Sequence, residues 1–338
     1  MTILGIETSC DETSAGVVRD QNGNLKLLSN VVSSSSPLHA KTGGIIPEVA
    51  AREQIRLIIP VIKKALEESS LDFQNPSIDV IAVTVGPGLI GSLLVGVETA
   101  KTLSLLWKKP LIPVNHLLGH IYANFIDQEA SIEFPAIGLI VSGGHTDLIL
   151  IKGHGNIKWI GGTRDDAAGE AFDKIGRMLG LPYPSGPVIE KLAKEGNPKR
   201  FNLPKPMIDS SDFDFSFSGL KTAVLREIKT IKKLNNQIIN DICASMQASI
   251  VDVLTSKTIN AAQKYSAKSI LLGGGVTANQ TLSDKLKLYA IRHKLNAEIF
   301  VQQKSLCTDN GAMIAAYGYF NPKMVSFDKV NADPSLYF

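Results

Sequence analysis

The sequence predicts an α/β protein of two like lobes, each a mixed sheet flanked by helices, facing each other across a central cleft. Three observations carry that expectation. At 338 residues the chain exceeds the size at which one hydrophobic core keeps growing. One order of elements recurs in both halves: a hairpin with a polar turn, helices, then an apolar strand that empties through glycines into a helix. Those later strands are continuously apolar, as strands of a parallel sheet covered on both faces should be.

Taken in order, Ile3 to Thr8 and Ala15 to Arg19 read as strands around the polar turn Ser9-Cys10-Asp11-Glu12-Thr13. The turn Gln21-Asn22-Gly23-Asn24 leads to a strand from Leu25 to Val32. A polar stretch with Ser33 to Ser36 runs toward Pro47, where a helix can start with proline in its first turn and Val49, Ile55, Ile58, Ile59 and Ile62 as its apolar positions. Ile78 to Val85 is a buried strand that ends in Gly86-Pro87-Gly88, and Ser92 to Leu106 is the next helix. Leu111 to Val114 and His116 to Ile126 supply a further strand and helix. Asp127-Gln128-Glu129 marks a boundary, so the first lobe is expected over 1–130, with 320–338 a candidate to complete it, and the second over 131–319.

Past the boundary the pattern returns. Strands Ala136 to Val141 and Leu148 to Ile151 flank the polar turn Ser142-Gly143-Gly144-His145-Thr146-Asp147, and Ile157 to Ile160 is a third strand. Helices are expected around Asp165 to Met178, Pro187 to Lys194, Ser218 to Ile231 and Asn235 to Gln263, with a Pro/Asp/Ser-rich excursion over 197–217. Ile270 to Leu272 ends in Gly273-Gly274-Gly275 before a helix from about Ala278, and an apolar helix from Cys307 to Tyr319, begun by Asp309, closes the chain.

Composition narrows the function classes. Three cysteines without a C-x-x-C pair make no disulfide framework and suit a reducing compartment. No stretch reaches eighteen consecutive apolar residues and no positive leader precedes Glu7 and Asp11, so a cytoplasmic protein with no membrane partner is expected. The net charge of +3 does not announce a nucleic-acid protein, although it leaves room for a local basic face.

Gly86-Pro87-Gly88-Leu89-Ile90-Gly91 spells the dinucleotide fingerprint, but the next strand ends in Val114-Asn115 and lacks the acidic residue that would hold a ribose. A tight turn, or a turn lining a ligand cleft, are the alternatives. Gly273-Gly274-Gly275 followed by Asn279 is a stronger signal: three glycines let backbone amides approach a phosphate, and no Lys-Ser or Lys-Thr follows as in a Walker A loop. His116 and His120 stand at i and i+4, half of a metal site, and Asp309 would complete a mixed N/O set suited to iron or zinc. Leu117 replaces the glutamate of the H-E-x-x-H protease motif. Asp165, Asp166, Glu170 and Asp173 form an acidic edge whose plain alternative is helix capping. Lys199, Arg200, Lys205, Lys221, Arg226 and Lys229 are a candidate face for a phosphate backbone, or a solvated face.

Six segments together resemble the TsaD family, also known under the older names glycoprotease and O-sialoglycoprotein endopeptidase. They are Ile6-Glu7-Thr8-Ser9-Cys10-Asp11-Glu12-Thr13, His116-Leu117-Leu118-Gly119-His120, Val141-Ser142-Gly143-Gly144-His145-Thr146, the run from Asp165 to Lys174, the run from Gly273 to Asn279, and Cys307-Thr308-Asp309-Asn310-Gly311-Ala312-Met313. They span the whole chain in order. The resemblance implies the two-lobed fold shared by actin, Hsp70 and sugar kinases. It further implies transfer of a threonylcarbamoyl group from threonylcarbamoyl-adenylate to N6 of adenine 37 in tRNAs that read codons beginning with A, with release of AMP. By the same resemblance His116, His120 and Asp309 hold Fe(2+) or Zn(2+). Val141, Ser142, Gly143, Gly144, His145, Asp173, Gly186 and Asn279 bind the adenylate, and Gly273, Gly274 and Gly275 form its phosphate loop. A TsaB-like paralogue and a TsaE-like ATPase are the implied protein partners, with the helix from His116 to Ile126 as a candidate docking surface. Three positions depart from the family pattern: Gln54 stands where a histidine is usual, Gly161-Gly162 precedes the acidic helix in place of Gly-Glu, and Ser185 replaces a glycine.

The residues suit this chemistry. A mixed anhydride is already activated, so the protein needs to place an amine against the carbamoyl carbon, and no serine or cysteine nucleophile is required. Asp11 is the candidate for steering or accepting the amine proton, with turn capping as its alternative. Two other functions remain open at this level: a small-molecule kinase of the same fold, and a non-catalytic nucleotide-binding scaffold.

Overall fold

The computed structural model describes residues 1–35, 38–39 and 44–338; the expected polar stretch Ser33 to Ser36 is therefore described as far as Ser35, and Ser36 lies outside the described residues. Two compact units emerge, Met1–Ile132 with Gln302–Phe338, and Glu133–Val301.

In the first unit, β1 (Thr2–Glu7), β2 (Glu12–Gln21) and β3 (Asn24–Ser34) form an antiparallel meander. After α1 (Pro47–Glu68), β4 (Val80–Gly86) pairs parallel with β1; after α2 (Ile90–Trp107), β5 (Leu111–Asn115) pairs parallel with β4. Every residue of β1 and β4 is buried, because helices cover the sheet and leave no solvent face for polar residues. Helix α1 carries Pro47 at its first turn and buries Ile58, Ile62, Ala65 and Leu66 on one stripe against the sheet. The seven-residue α3 (His116–Tyr122) follows β5 directly.

In the second unit, β6 (Ala136–Val141), β7 (Thr146–Gly153) and β8 (Asn156–Gly162) again form a meander, followed by α4 (Ala168–Met178), α5 (Gly186–Ala193), α6 (Ser218–Thr230) and α7 (Asn236–Lys264). Then β9 (Ser269–Gly273) pairs parallel with β6, α8 (Gln280–Arg292) crosses over, and β10 (Glu298–Val301) pairs parallel with β9. The strand orders, β3-β2-β1-β4-β5 and β10-β9-β6-β7-β8, are the same order once β6 is set on β1. The recurrence legible in the sequence is thus a repeated topology of two mixed sheets flanked by helices. Strand β10 has no counterpart among the sequence-based expectations: it is a four-residue edge strand in which only Phe300 is buried, too short to show a period.

The excursion over 197–217 is pinned from below: the buried Lys257 ammonium donates to the Ser210 carbonyl (3.2 Å) and hydroxyl (2.6 Å) and to the Asp212 carbonyl (2.7 Å).

The last helix, α9 (Gly311–Phe320), corrects the expected boundary at 319. It lies on β1 and β2 of the first unit, so the chain returns there from Gln302 and not from residue 320. Glycines make this possible. A Cβ at Gly5 would collide with the Gly311 carbonyl oxygen, and one at Gly16 would collide with the Ala312 nitrogen. Asn310 caps α9 by accepting from the Met313 N–H (2.9 Å), so Asp309 precedes the helix and does not begin it.

Among the described residues two helices, α2 and α7, are long and apolar enough to cross a membrane by length and composition, although neither is an unbroken apolar run. The relevant window of α7 is 78% buried inside its unit and that of α2 is 39% buried.

Candidate metal centre and glycine loop

The Asn115 side chain caps α3 by accepting from the N–H groups of Leu117 (2.9 Å) and Leu118 (3.3 Å). The helix then sets His116 and His120 on one face, their ring centroids 4.8 Å apart and their planes at 77°. From the segment before α9, Asp309 brings Oδ1 to 3.2 Å from His120 Nε2 and 3.6 Å from His116 Nε2. One ligand atom from each residue lies within 4.8 Å of the others, and both histidines are buried. Close packing of α3 on α9 permits this, since a Cβ at Gly119 would meet Ile314 Cδ1 at 2.8 Å. Two imidazoles and a carboxylate fit one divalent ion of the zinc or iron class; calcium or magnesium would want an all-oxygen set. His116, His120 and Asp309 can therefore coordinate one divalent metal.

The surroundings favour a cation. Burial opposes charge on His116, yet the Glu7 and Asp309 carboxylates outweigh it and bring its pKa up to about 9. Burial, with Asp309 and Asp11 nearby, raises Glu12 to about 10, and the Glu12 and Asp11 carboxyls hydrogen-bond to each other. Burial and the same acids also push the Cys10 thiol up. Asp11 sits in the β1–β2 turn, and its carbonyl accepts from the N–H (3.0 Å) and hydroxyl (2.9 Å) of Ser35. The departing residue Gln54 anchors that turn from below: its buried amide donates to the carbonyls of Cys10 and Glu12, both at 3.0 Å. Neither Glu7 nor Glu12 has a role that the sequence alone suggests. The available signal is an acidic residue ending the otherwise apolar run from Ile3, where burying a carboxylate is costly unless it is paired.

In the second unit the segments from Val141 to His145 and from Gly273 to Gly275 stand at the carboxyl ends of β6 and β9, where ligands of open α/β sheets bind, while Asp173 lies in α4 and Gly186 opens α5. The β6–β7 turn is tight: Ser142 N–H donates to the His145 carbonyl (2.9 Å), and His145 N–H donates to the Ser142 hydroxyl (3.1 Å). Gly143 and Gly144 are exposed at its tip. The start of α4 is fastened to the same turn, as Gly169 N–H donates to the Ser142 carbonyl (3.2 Å) and Ala168 N–H to the Thr146 hydroxyl (2.9 Å). Gly274 has φ +94, and a Cβ there would stand 2.5 Å from the Val141 carbonyl oxygen, so the loop Gly273-Gly274-Gly275 lies against the turn. Asp173 accepts from Ser185 N–H (2.7 Å), tying α4 to the residue before Gly186.

Some residues have internal partners the sequence did not foretell. Asn279 caps α8 by accepting from Leu282 N–H (3.2 Å) and donates to Gln247 Oε1 (2.8 Å). Asp165 caps α6 and not its own helix, accepting from the N–H groups of Phe217 (2.8 Å) and Ser218 (3.2 Å) and the hydroxyls of Ser216 (2.6 Å) and Ser218 (2.7 Å). In the candidate basic face, Arg200 pairs with Asp241 (3.4 Å), Lys205 with Asp252 (2.6 Å) and Lys221 with Asp166 (3.8 Å). Arg226 and Lys229 are exposed and make no ion pair among the described residues. The expected docking surface from His116 is corrected: every residue of α3 is buried. Exposed apolar side chains of this unit stand on α1 and α2, among them Ile55, Ile59, Leu94, Leu105 and Leu106, and on the C-terminal segment at Met324, Phe327 and Tyr337.

Residues 26–316 match the family model for TsaD, tRNA N6-adenosine threonylcarbamoyltransferase. The chain belongs to the TsaD family. A tRNA N6-adenosine threonylcarbamoyltransferase of Persephonella marina is 50% identical over 322 residues, covering 94% of this chain and 90% of that protein. The enzyme of the same description from Geobacillus kaustophilus is 48% identical, covering 99% of this chain and 96% of that protein. The fold extends beyond the family: HypF of T. kodakarensis superposes with a TM-score of 0.61 at 13% identity, over 94% of this chain and 47% of that one.

Proposed function

We propose that this chain transfers the threonylcarbamoyl group of threonylcarbamoyl-adenylate to N6 of adenine 37 in tRNA. The observation that carries the assignment is the buried cluster of His116, His120 and Asp309 in a member of the TsaD family. A sugar or acetate kinase has no use for such a cluster, and a degenerate scaffold would not need to keep it.

In the reaction the N6 amine attacks the carbamoyl carbon; the new N–C bond forms as the C–O bond to the adenylate phosphate breaks, AMP leaves with the electron pair, and the amine loses a proton. His116, His120 and Asp309 hold the metal, Fe(2+) in preference to Zn(2+), and that ion when bound supplies Lewis acidity toward an oxygen of the substrate. Asp11, in the β1–β2 turn beside Glu12, accepts or steers the amine proton. In the second unit, Val141, Ser142, Gly143, Gly144, His145, Asp173, Gly186 and Asn279 position the adenylate, and the Gly273-Gly274-Gly275 amides approach its phosphate. Division into lobes of the actin, Hsp70 and sugar-kinase type, with work in the cytoplasm, belongs to the same proposal. So do two partners, a TsaB-like paralogue and a TsaE-like ATPase, with the exposed apolar face of α1 and α2 as the docking surface for the paralogue.

The test combines the purified chain, both partners, an adenylate-generating enzyme, ATP, labelled threonine, bicarbonate and unmodified tRNA, followed by nucleoside analysis. Label in N6-threonylcarbamoyladenosine is the expected result. Absence of the modified nucleoside, with phosphorylation of a sugar or acetate by ATP in its place, would replace this assignment with a kinase.

A further inference from the structure

We propose that Glu7 is a positioning residue for the metal centre, its buried carboxylate holding Nδ1–H of His116 so that Nε2 is the atom presented to the metal. The inference rests on the metal assignment above.

Glu7 ends β1 with no solvent exposure. Each of its contacts is with a donor: Oε2 accepts from the Thr84 hydroxyl at 2.6 Å and stands 2.9 Å from His116 Nδ1, and Oε1 accepts from Ser9 N–H at 2.5 Å. The Ser9 hydroxyl flanks the same imidazole nitrogen at 3.2 Å. Thr84 on β4 and the Ser9 amide thus clamp the carboxylate in one orientation, and the carboxylate in turn clamps the ring. With a proton on Nδ1, the free lone pair of His116 is on Nε2, the nitrogen that faces Asp309 Oδ1 at 3.6 Å. A carboxylate behind a ligating histidine fixes its tautomer and increases its basicity.

A role confined to strand packing accounts for the site less well. Between Thr2 and Glu7, β1 is filled by Ile3, Leu4, Gly5 and Ile6, and an apolar residue at its end would avoid the cost of burying a charge. The cost is recovered only by these donors, and His116 is the one that also belongs to the metal cluster.

The experiment measures Co2+ affinity of metal-free protein by competition with a chromophoric chelator, together with the visible absorption of bound Co2+ and thermal unfolding without metal. The variants are Glu7→Gln, Thr84→Val, Thr84→Ser and His120→Ala. Glu7→Gln is expected to weaken Co2+ binding about 10- to 100-fold and to shift the cobalt bands. Thr84→Val should weaken it by a smaller factor, and Thr84→Ser, which keeps the hydroxyl, should restore it. A folded Glu7→Gln protein with wild-type affinity and spectrum would overturn the proposal; if that variant does not fold, wild-type affinity in Thr84→Val overturns it. Failure of the metal assignment reads differently, as His120→Ala would then bind Co2+ as well as the wild type does.

Discussion

A buried histidine pair facing one carboxylate responds sharply to single substitutions. His116→Ala and His120→Ala each remove one of three donors, and metal content measured after purification should fall to near zero in both, with circular dichroism of the metal-free proteins unchanged. Equal metal content in wild type and variants would exclude the cluster as the site. Gly274 makes the corresponding case in the second unit. Its φ of +94 and its 2.5 Å approach to the Val141 carbonyl mean that Gly274→Ala strains the loop, at a cost of about 1–2 kcal/mol in local conformation. Calorimetric titration should show weakened AMP binding with secondary structure retained; unchanged affinity would remove the loop from the adenylate site. Asn279 needs more care as a probe, because Asn279→Ala also removes a helix cap and the bond to Gln247.

Helices α3 and α9 and the pair α4 and α6 show how elements place those residues. Asp309 reaches the histidines only because α9 lies flush on β1 and β2, where Gly5 and Gly16 leave room. Gly16→Ala should push α9 outward, lower stability by about 1–3 kcal/mol in denaturant titrations, and lower metal affinity as well. Full metal affinity in a destabilised Gly16→Ala protein would show that Asp309 does not depend on the seating of α9. Asp165 governs the start of α6. Burial alone would raise its pKa, but hydrogen bonds from Ser216, Phe217 and Ser218 outweigh that and hold it below the ordinary carboxylate value of 3.8. A depressed folded-state pKa contributes stability above the unfolded value, and this is lost as pH falls through the folded one. Unfolding midpoints in urea at pH about 7 and about 3 should therefore differ more for the wild type than for Asp165→Asn. Identical pH dependence in the two proteins would contradict the assignment.

Across the whole molecule a net charge of +3 is reconciled with a polyanionic substrate by distribution of charge. Arg200, Lys205 and Lys221 of the basic face are already paired with acids of the chain, whereas Lys199 is exposed and can meet a phosphate without breaking an ion pair among the described residues, as can Arg226 and Lys229 of α6. Reversing Arg226 and Lys229 to Glu should raise the tRNA KM and flatten its dependence on salt, since each lost phosphate contact removes released counterions, while adenylate hydrolysis without tRNA stays at the wild-type rate. An unaltered KM would place the tRNA path elsewhere.

The sequence by itself determined the strands other than β10, most helices, the repeated order of elements, the i,i+4 histidine pair and the glycine loop, because each of these is written in local periodicity or in a short run of residues. Only the tertiary structure decided which unit receives the last helix, that Asp309 meets His116 and His120, that Glu7 stands behind His116, that Asp165 caps a helix far downstream of its own, and that α3 is buried while α1 and α2 show apolar side chains. These outcomes depend on contacts between segments far apart in the chain. Gly5, Gly16 and Gly311 read locally as weak points in a strand or a helix, and their purpose is visible only when two backbones are brought to within touching distance.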